Sequence, residues 1–382
     1  MTPKRIVILG VTGSIGQQAL DVIRAFPDQF LLEGMSGYDN IDALIAIANE
    51  LKPPYIVVPT NAKRSTLLTA LTYTPTVFVG KSGLIDIVCI AMDQLIVAIV
   101  GTAALPPVIR AIPHVSHIAI ANKEVLVAAG TIIMDLVARH QSRLIPIDSE
   151  HSALFQCLQA VNFQKKFVKQ LTLTASGGPF WQRTPESLMT VTRQEALQHP
   201  NWSMGNKITV DSSTMANKGL EVIEAHHLFG MPFDDIHIVI HPKSIVHAFV
   251  ETIDGAIFSH MGRPDMRYPI QYAMTYPNRL PTPFSQSPIT GLSNLAFHPP
   301  NYDLFPLLSL AISCGKSGGA APVVFNAANE AAVHRFLNGQ LNYVGIASCV
   351  DAAVSRFSDE SADTIDDIIE LDARVNAHIH AS

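Results

Sequence analysis

Seven short apolar runs, most of them separated by residues at helical spacing, fill the start of this 382-residue chain. They are Arg5–Leu9, Phe30–Met35, Tyr55–Pro59, Thr76–Val79, Gln94–Val100, Ser116–Ala121 and Arg143–Ile147. Sets such as Ala19, Leu20, Val22 and Ile23 recur between them and share one face of a helix. Strands joined through helices lie beside each other in parallel. The pattern therefore predicts a Rossmann-like, doubly wound α/β domain over residues 1–148.

The first strand runs into Gly10-Val11-Thr12-Gly13-Ser14-Ile15-Gly16, which opens a helix. Glycines at such a turn let backbone N–H groups approach a pyrophosphate at the helix N-terminus, so the loop points to a dinucleotide over a purely structural turn. The second discriminating position lies at the end of the second strand, where the chain reads Ser36-Gly37-Tyr38-Asp39-Asn40. An acid there suits the free ribose hydroxyls of NAD. Asp39 has two readings, as that acid or as the N-cap of a helix over Ile41–Leu51.

After about residue 150 the alternation stops. A catalytic α+β domain is expected over 149–285, with strands at Ile236–Ile240, Ile245–Glu251 and Ala256–Ser259 and a helix from Ser212 to Phe229. Within it the long polar stretch 177–206 has the length of a lid. Residues 286–300, rich in Pro and Ser, are the expected linker. An α-helical domain over 301–382 follows, from the apolar spacing of Ala321–Leu337, Tyr343–Phe357 and Thr364–Ile379.

Composition limits the partners. A net charge of −6 lacks the dense basic surface that nucleic acid requires. The apolar tract Leu95–Ile109 is broken by Pro106 and Pro107, and Ile118–Val137 carries Lys123, Glu124 and Asp135, so neither suits a bilayer. Cys89, Cys157, Cys314 and Cys349 are scattered, as expected of free thiols used as small apolar fillers in a reducing compartment. A soluble, cytoplasmic protein is expected.

Two polar constellations carry candidate chemistry. At Ile147-Asp148-Ser149-Glu150 an extended backbone would turn Asp148 and Glu150 to one side. Two carboxylates so placed suit Mg²⁺ or Mn²⁺; the alternative is that Glu150 caps a helix over Ser152–Leu158. In Asp211 to Glu221, helical geometry sets Asn217 and Lys218 on the face of Glu221, either as a phosphate cradle with a third metal carboxylate or as a capped surface helix. In the lid, Trp202 either covers something apolar or anchors the loop. His199 is open between general acid, hydrogen-bond donor and ordinary loop histidine.

Eight strings occur in order: Gly-x-Thr-Gly-Ser-Ile-Gly (10–16), Ala-Asn-Lys-Glu (121–124), Asp-Ser-Glu-His (148–151), Ser-Gly-Gly-Pro-Phe (176–180), His-Pro-Asn-Trp-Ser-Met-Gly (199–205), Asn-Lys-Gly-Leu-Glu (217–221), His-Pro-x-Ser-Ile-Val-His (241–247) and Gly-Arg-Pro-Asp-Met-Arg (262–267). With them the chain resembles the 1-deoxy-D-xylulose 5-phosphate reductoisomerase family over essentially its whole length. The resemblance implies an enzyme that rearranges and reduces a small sugar phosphate to 2-C-methyl-D-erythritol 4-phosphate, an isoprenoid precursor, with NADPH and Mg²⁺ or Mn²⁺, as a homodimer. It implies cofactor contacts at Thr12, Gly13, Ser14, Ile15, Gly37, Asn40, Asn122, Glu124 and Gly205, and metal carboxylates at Asp148, Glu150 and Glu221. It implies a phosphate cradle of Ser176, Ser212, Asn217 and Lys218; Ser149, Lys123 and His199 about the sugar; and Trp202 over the substrate, with Lys123, Glu150 and His199 as catalytic groups. The family's Gly-Lys/Arg-Asn is replaced here by Gly37-Tyr38-Asp39-Asn40, which lacks the base that suits a 2′-phosphate and admits NADH. Two rivals to this reading are a metal-independent Rossmann dehydrogenase and a non-catalytic dinucleotide sensor.

Overall fold

A computed structural model describes residues 2–202, 204–286, 288–292 and 294–381. Ser203 of the expected lid, Ser287 and Ser293 of the expected linker, and Ser382 of the expected helical domain lie outside the described residues. The elements run β1 (Lys4–Leu9), α1 (Ser14–Ala25), β2 (Phe30–Ser36), α2 (Ile41–Leu51), β3 (Tyr55–Val58), α3 (Asn61–Ala70), β4 (Thr76–Val79), α4 (Gly80–Ile87), β5 (Gln94–Val97), α5 (Leu105–Ala111), β6 (His117–Ile120), α6 (Glu124–His140), β7 (Arg143–Pro146) and α7 (Ser149–Leu158). There follow β8 (Val168–Ala175), α8 (Pro185–Leu188), α9 (Arg193–Ala196), α10 (Asn206–Ser213), α11 (Ala216–Phe229), β9 (Ile236–Ile240), β10 (Val246–Thr252), β11 (Ile257–Met261) and α12 (Arg267–Thr275). Helices α13 (Pro306–Ser317), α14 (Ala321–Leu337), α15 (Tyr343–Phe357) and α16 (Ile365–Ala381) end the chain.

The chain forms two compact units, neither contiguous. The first holds Met1–Asn122, Ile132–Ser152 and Met266–Ser285, the second Lys123–Thr131, Ala153–Asp265 and Gln286–Ser382. Among the described residues no helix is long and apolar enough to cross a membrane.

The first unit contains the expected doubly wound sheet, seven strands in the order β4-β3-β2-β1-β5-β6-β7, all paired in parallel. A parallel strand covered on both faces is apolar throughout, and Ile6, Val7, Ile8 and Leu9 of β1 are fully buried. The order reverses direction at β1, so the loops after β1 and β5 border the crevice where such sheets take ligands. Four strands are shorter than expected: β3 ends at Val58 because Pro59 has no N–H to pair, β5 ends at Val97, β6 spans His117–Ile120 and β7 ends at Pro146. Helix α12, which periodicity did not reveal, belongs to this unit. Gln94 Nε2 donates to Ala273 O at 2.8 Å and Lys4 Nζ to Met274 O at 2.6 Å.

The second unit joins a mixed sheet, β11-β10-β8-β9, to the C-terminal helices. Its inner strand β8 was not expected. It buries Val168, Leu171, Leu173 and Ala175, and Lys169 and Gln170 interrupt the apolar signal. The expected helix Ser212–Phe229 is two helices, broken where Met215 takes φ 61° and Thr214 Oγ1 accepts from Ala216 N at 3.3 Å. The C-terminal helices pack about α14, whose Phe325 is fully buried. Cys157 and Cys314 are buried thiols, pushed up to about 11 and about 12 by burial, and so fit the filler role; Cys89 is exposed.

His227 of α11 packs against Gly130, where an added Cβ would lie 2.3 Å from the imidazole Cδ2. Burial, and then the neighbouring His226, push the ring from 6.5 down to about 4. Between those values the unfolded chain binds a proton that the folded ring refuses. The contribution of this group is therefore complete above pH 6.5 and lost as pH falls toward 4. We predict that His227→Gln flattens the fall of unfolding free energy over this window by up to ~1.4 kcal/mol per pH unit, read from denaturant titrations at several pH values.

Candidate active site

The glycine loop follows from packing. A Cβ on Gly16 would fall 2.3 Å from Gly10 O, and one on Gly10, whose φ is +88°, 2.7 Å from Ala98 O. The backbone therefore turns tightly between β1 and β5, held by Val11 N to Ser36 O at 2.8 Å and Gly10 N to Ser36 Oγ at 2.9 Å. Helix α1 has no side-chain cap and no acid in its first turn, while Gly13 and Ser14 are exposed and Thr12 and Ile15 half-buried. An open helix start with its N–H groups accessible fits a dinucleotide pyrophosphate. At the end of β2 it is Asn40, not Asp39, that caps α2, its Oδ1 accepting from Ala43 N at 3.0 Å. Asn122 donates to Ile99 O at 2.7 Å and Gly101 O at 2.9 Å, which fixes the loop after β5.

The extended reading of Asp148 and Glu150 is corrected. Strand β7 ends at Pro146 and the helix starts at Ser149, with Ser152 N donating to Asp148 O at 2.8 Å. Asp148 thus stands just before the helix and Glu150 in its first turn, so alternation along a strand does not apply. Ser149 Oγ donates to Glu150 Oε2 at 2.5 Å. Asp148 Oδ2 faces the Nδ1 of fully buried His151 at 4.0 Å. Two carboxylates and a hydroxyl on successive residues remain a donor set suited to a hard divalent cation.

In the second unit the predicted face of α11 is realised. Glu221, 1% exposed, accepts from Lys218 Nζ and Asn217 Nδ2, and Lys123 Nζ lies 3.2 Å from its Oε1 and 2.8 Å from Asn217 Oδ1. Lys218 also donates to Thr174 O at 2.6 Å, tying α11 to the end of β8. Two buried ammoniums and an amide beside a buried carboxylate are donors of the kind an anionic ligand takes.

The loop after β8 carries Ser176. Gly178, at φ +66°, passes so close to α10 that a Cβ would lie 2.7 Å from Ser212 O. The loop thereby brings Ser176 toward Ser212 and the start of α11. Ser176 Oγ lies 2.9 Å from His199 Nε2 and accepts from Gly178 N at 3.2 Å. His199 Nδ1 accepts from Asn201 N at 3.2 Å and Trp202 N at 3.0 Å. A nitrogen that accepts twice carries no hydrogen, so the neutral ring is protonated at Nε2 and donates to Ser176 Oγ. The serine then keeps its own proton to donate to a ligand. Trp202 is half-buried, 6.5 Å from the His247 ring, and Asn201 Nδ2 donates to Pro242 O and Ser244 Oγ at 2.6 and 2.8 Å. The segment expected as a lid carries the short helices α8 and α9 and a buried Phe180.

One cluster was missed from sequence. Lys207, two residues beyond Gly205, pairs with Asp211 at 2.9 Å and Glu124 at 3.2 Å, and Asn329 Nδ2 donates to Asp211 Oδ1 at 2.8 Å. The i,i+4 spacing of Lys207 and Asp211 was the available signal. Burial pushes the Glu124 carboxyl up, but Lys207, the backbone N–H of Glu124 and Lys123 outweigh it and hold the group below its ordinary value. Burial likewise opposes the charge on Lys207, and Asp211 and then Glu124 more than restore it. The pairing holds the start of α10 against the start of α6. Lys207→Met would leave two carboxylates in a dry site and destabilise the fold by roughly 3 kcal/mol. Adding Asp211→Asn should recover part of that loss, both read from denaturant midpoints.

Three family models match: 1-deoxy-D-xylulose 5-phosphate reductoisomerase over residues 6–130, its C-terminal domain over 144–229, and the DXP reductoisomerase C-terminal domain over 261–378. A 1-deoxy-D-xylulose 5-phosphate reductoisomerase of Geobacillus kaustophilus is 45% identical, covering 99% of both chains. One of Caldanaerobacter subterraneus is 44% identical over 98% of both. The solved reductoisomerase of Zymomonas mobilis in complex with NADPH superposes with a TM-score of 0.92 at 36% identity, covering 99% of this chain and 98% of that one. A reductoisomerase in complex with NADPH, fosmidomycin and magnesium gives 0.94 at 36% identity with the same coverage. The chain belongs to the 1-deoxy-D-xylulose 5-phosphate reductoisomerase family.

Proposed function

We infer that this chain converts 1-deoxy-D-xylulose 5-phosphate to 2-C-methyl-D-erythritol 4-phosphate, using NADPH and a divalent cation. The observation that carries the reading is the buried cluster of Lys123, Asn217, Lys218 and Glu221, in which two ammoniums and an amide converge beside a buried carboxylate. A simple Rossmann dehydrogenase or a dinucleotide sensor has no use for such a cluster. Relatives solved with NADPH and with magnesium support the choice of cofactors.

Asp148, Glu150 and Glu221 would hold the cation, and Mg²⁺ suits their all-oxygen donor set. When bound, the cation supplies Lewis acidity to the adjacent carbonyl and hydroxyl oxygens of the ketose, and the nicotinamide supplies the hydride. The protein's own groups do the rest. Ser176, Ser212, Asn217 and Lys218 hold the phosphate, and their binding energy, remote from the reacting carbons, positions the sugar backbone. His199 keeps Ser176 oriented through its Nε2–H, while Lys123 and Ser149 hold the sugar oxygens. Glu150, at a helix start beside a hydroxyl, is the carboxylate placed to move a hydroxyl proton. Trp202 and the 177–206 segment exclude water, which keeps the cleaved fragments together for recombination. Gly205, where a Cβ would meet nothing within 4 Å, leaves room for the nicotinamide.

The assay is oxidation of NADPH dependent on 1-deoxy-D-xylulose 5-phosphate, abolished by excess chelator and restored by Mg²⁺. Asp148→Asn should lower kcat/KM at least ~100-fold, the order of losing one electrostatic contact to a transition state. Turnover that persists in chelator would sink the metal-assisted reading.

We also propose a cytoplasmic homodimer. Its support is the edge strand β11, where Ile257, Phe258 and Met261 are exposed beside Ile253. A long apolar edge left open is an aggregation hazard unless a second copy covers it. Phe258→Lys should shift sedimentation toward the monomer mass; an unchanged dimer would place the interface elsewhere.

A further inference from the structure

We infer that Lys63 is the cation that receives the 2′-phosphate of NADPH, in place of the base that the family carries directly after the glycine at 37. This rests on the NADPH reading above. Strands β2 and β3 are paired in parallel with Ser36 level with Val57, so the segments that follow them emerge side by side at one sheet edge. That edge, at the end of the second strand, is where a Rossmann domain meets the adenosine ribose. The turn after β2 is tight. A Cβ on Gly37 would lie 2.9 Å from Leu44 Cδ1, and Ile41 N donates to Asp39 O at 3.1 Å. Tyr38 is left 72% exposed, with no charge of its own to offer.

Lys63 comes from the first turn of the neighbouring helix α3, whose N-cap is Thr60. Its ammonium donates to the carbonyls of Tyr38 and, at 3.0 Å, of Asp39, and lies 5.8 Å from the centre of the Tyr38 ring. Those partners are dipoles and a ring face, and among the described residues no carboxylate pairs with this ammonium. The charge is therefore held at the turn without being neutralised, and one of its three N–H donors is left for a ligand. A positive charge at the ribose end favours the dianionic 2′-phosphate over a free hydroxyl. It offsets Asp39, which by itself favours NAD.

The test is calorimetric titration of the cofactor-free protein with adenosine 2′,5′-bisphosphate and, in parallel, adenosine 5′-monophosphate. The wild type should prefer the bisphosphate. Lys63→Met should reduce that preference by about 10-fold or more, the worth of one charge-assisted hydrogen bond, and leave monophosphate binding unchanged. Lys63→Arg should restore it. A wild type without preference overturns the inference, and so does a Lys63→Met protein that keeps it or weakens both ligands equally. The NADPH:NADH ratio of kcat/KM should fall in parallel. If the sugar-phosphate assay failed while the nucleotide preference followed Lys63, the reductoisomerase reading would fall and the role of Lys63 would stand.

Discussion

A carboxylate sealed from water must be matched by positive charge, and Glu221 sets that condition for the second unit. At 1% exposure it cannot rely on solvent, so Lys218 from its own helix and Lys123 from the start of α6 converge on it. Each lysine has a second commitment, to Thr174 O and to Asn217 Oδ1. One buried charge thus ties α11 to the end of β8 and to the start of α6. Ser176 lies two residues beyond Thr174, so its hydroxyl inherits its position from the same tie.

A second network runs alongside. Lys207 faces Asp211 and Glu124, and Glu330 is kept above its ordinary value by burial, which Lys207 only partly relieves. The two networks meet at adjacent residues, Lys123 reaching one way and Glu124 the other. Asn122 pins the loop after β5 in the first unit, and within the second unit Lys123 and Glu124 pin α11 and α10. Carboxylates and ammoniums arranged this way resist substitution singly, because removing one leaves another buried without its partner.

Much of this was legible in the sequence, for identifiable reasons. Parallel strands buried on both faces give unbroken apolar runs, so all seven strands of the first sheet could be read. The face shared by Asn217, Lys218 and Glu221 followed from helical spacing alone. Strand β8 did not, because Lys169 and Gln170 dilute its pattern, and α12 did not, because Tyr, Pro and Gln near its start mask its buried side. The geometry at 148–150 was misread since Ile147 continues the apolar run past the true strand end, and only the backbone bond from Ser152 to Asp148 shows that the helix has begun. Lys207 shows in sequence only its i,i+4 partner Asp211, which reads as an ordinary surface pair, because Glu124 and Asn329 are brought to it by tertiary contacts.

The lysines of this protein divide by what holds them. Where a lysine faces carboxylates, as Lys207 does, its charge is consumed within the fold and its role is positional. Lys123 and Lys218 both reach Glu221 and each also donates to a neutral oxygen, so they hold the carboxylate and the neighbouring backbone together. Among the described residues Lys63 faces carbonyls and a ring and no carboxylate pairs with it, so its charge is not consumed by an ion pair. Carbonyl dipoles orient an ammonium without cancelling it, whereas a carboxylate does both. The family's base after the glycine at 37 would have brought its charge on the turn itself. Here the turn offers carbonyls, and the charge comes from the next helix, so the same field is built at the same sheet edge by a different residue. A charge requirement fixes where the field must be, not which element carries it, and this is why a departure read at one position need not change the ligand.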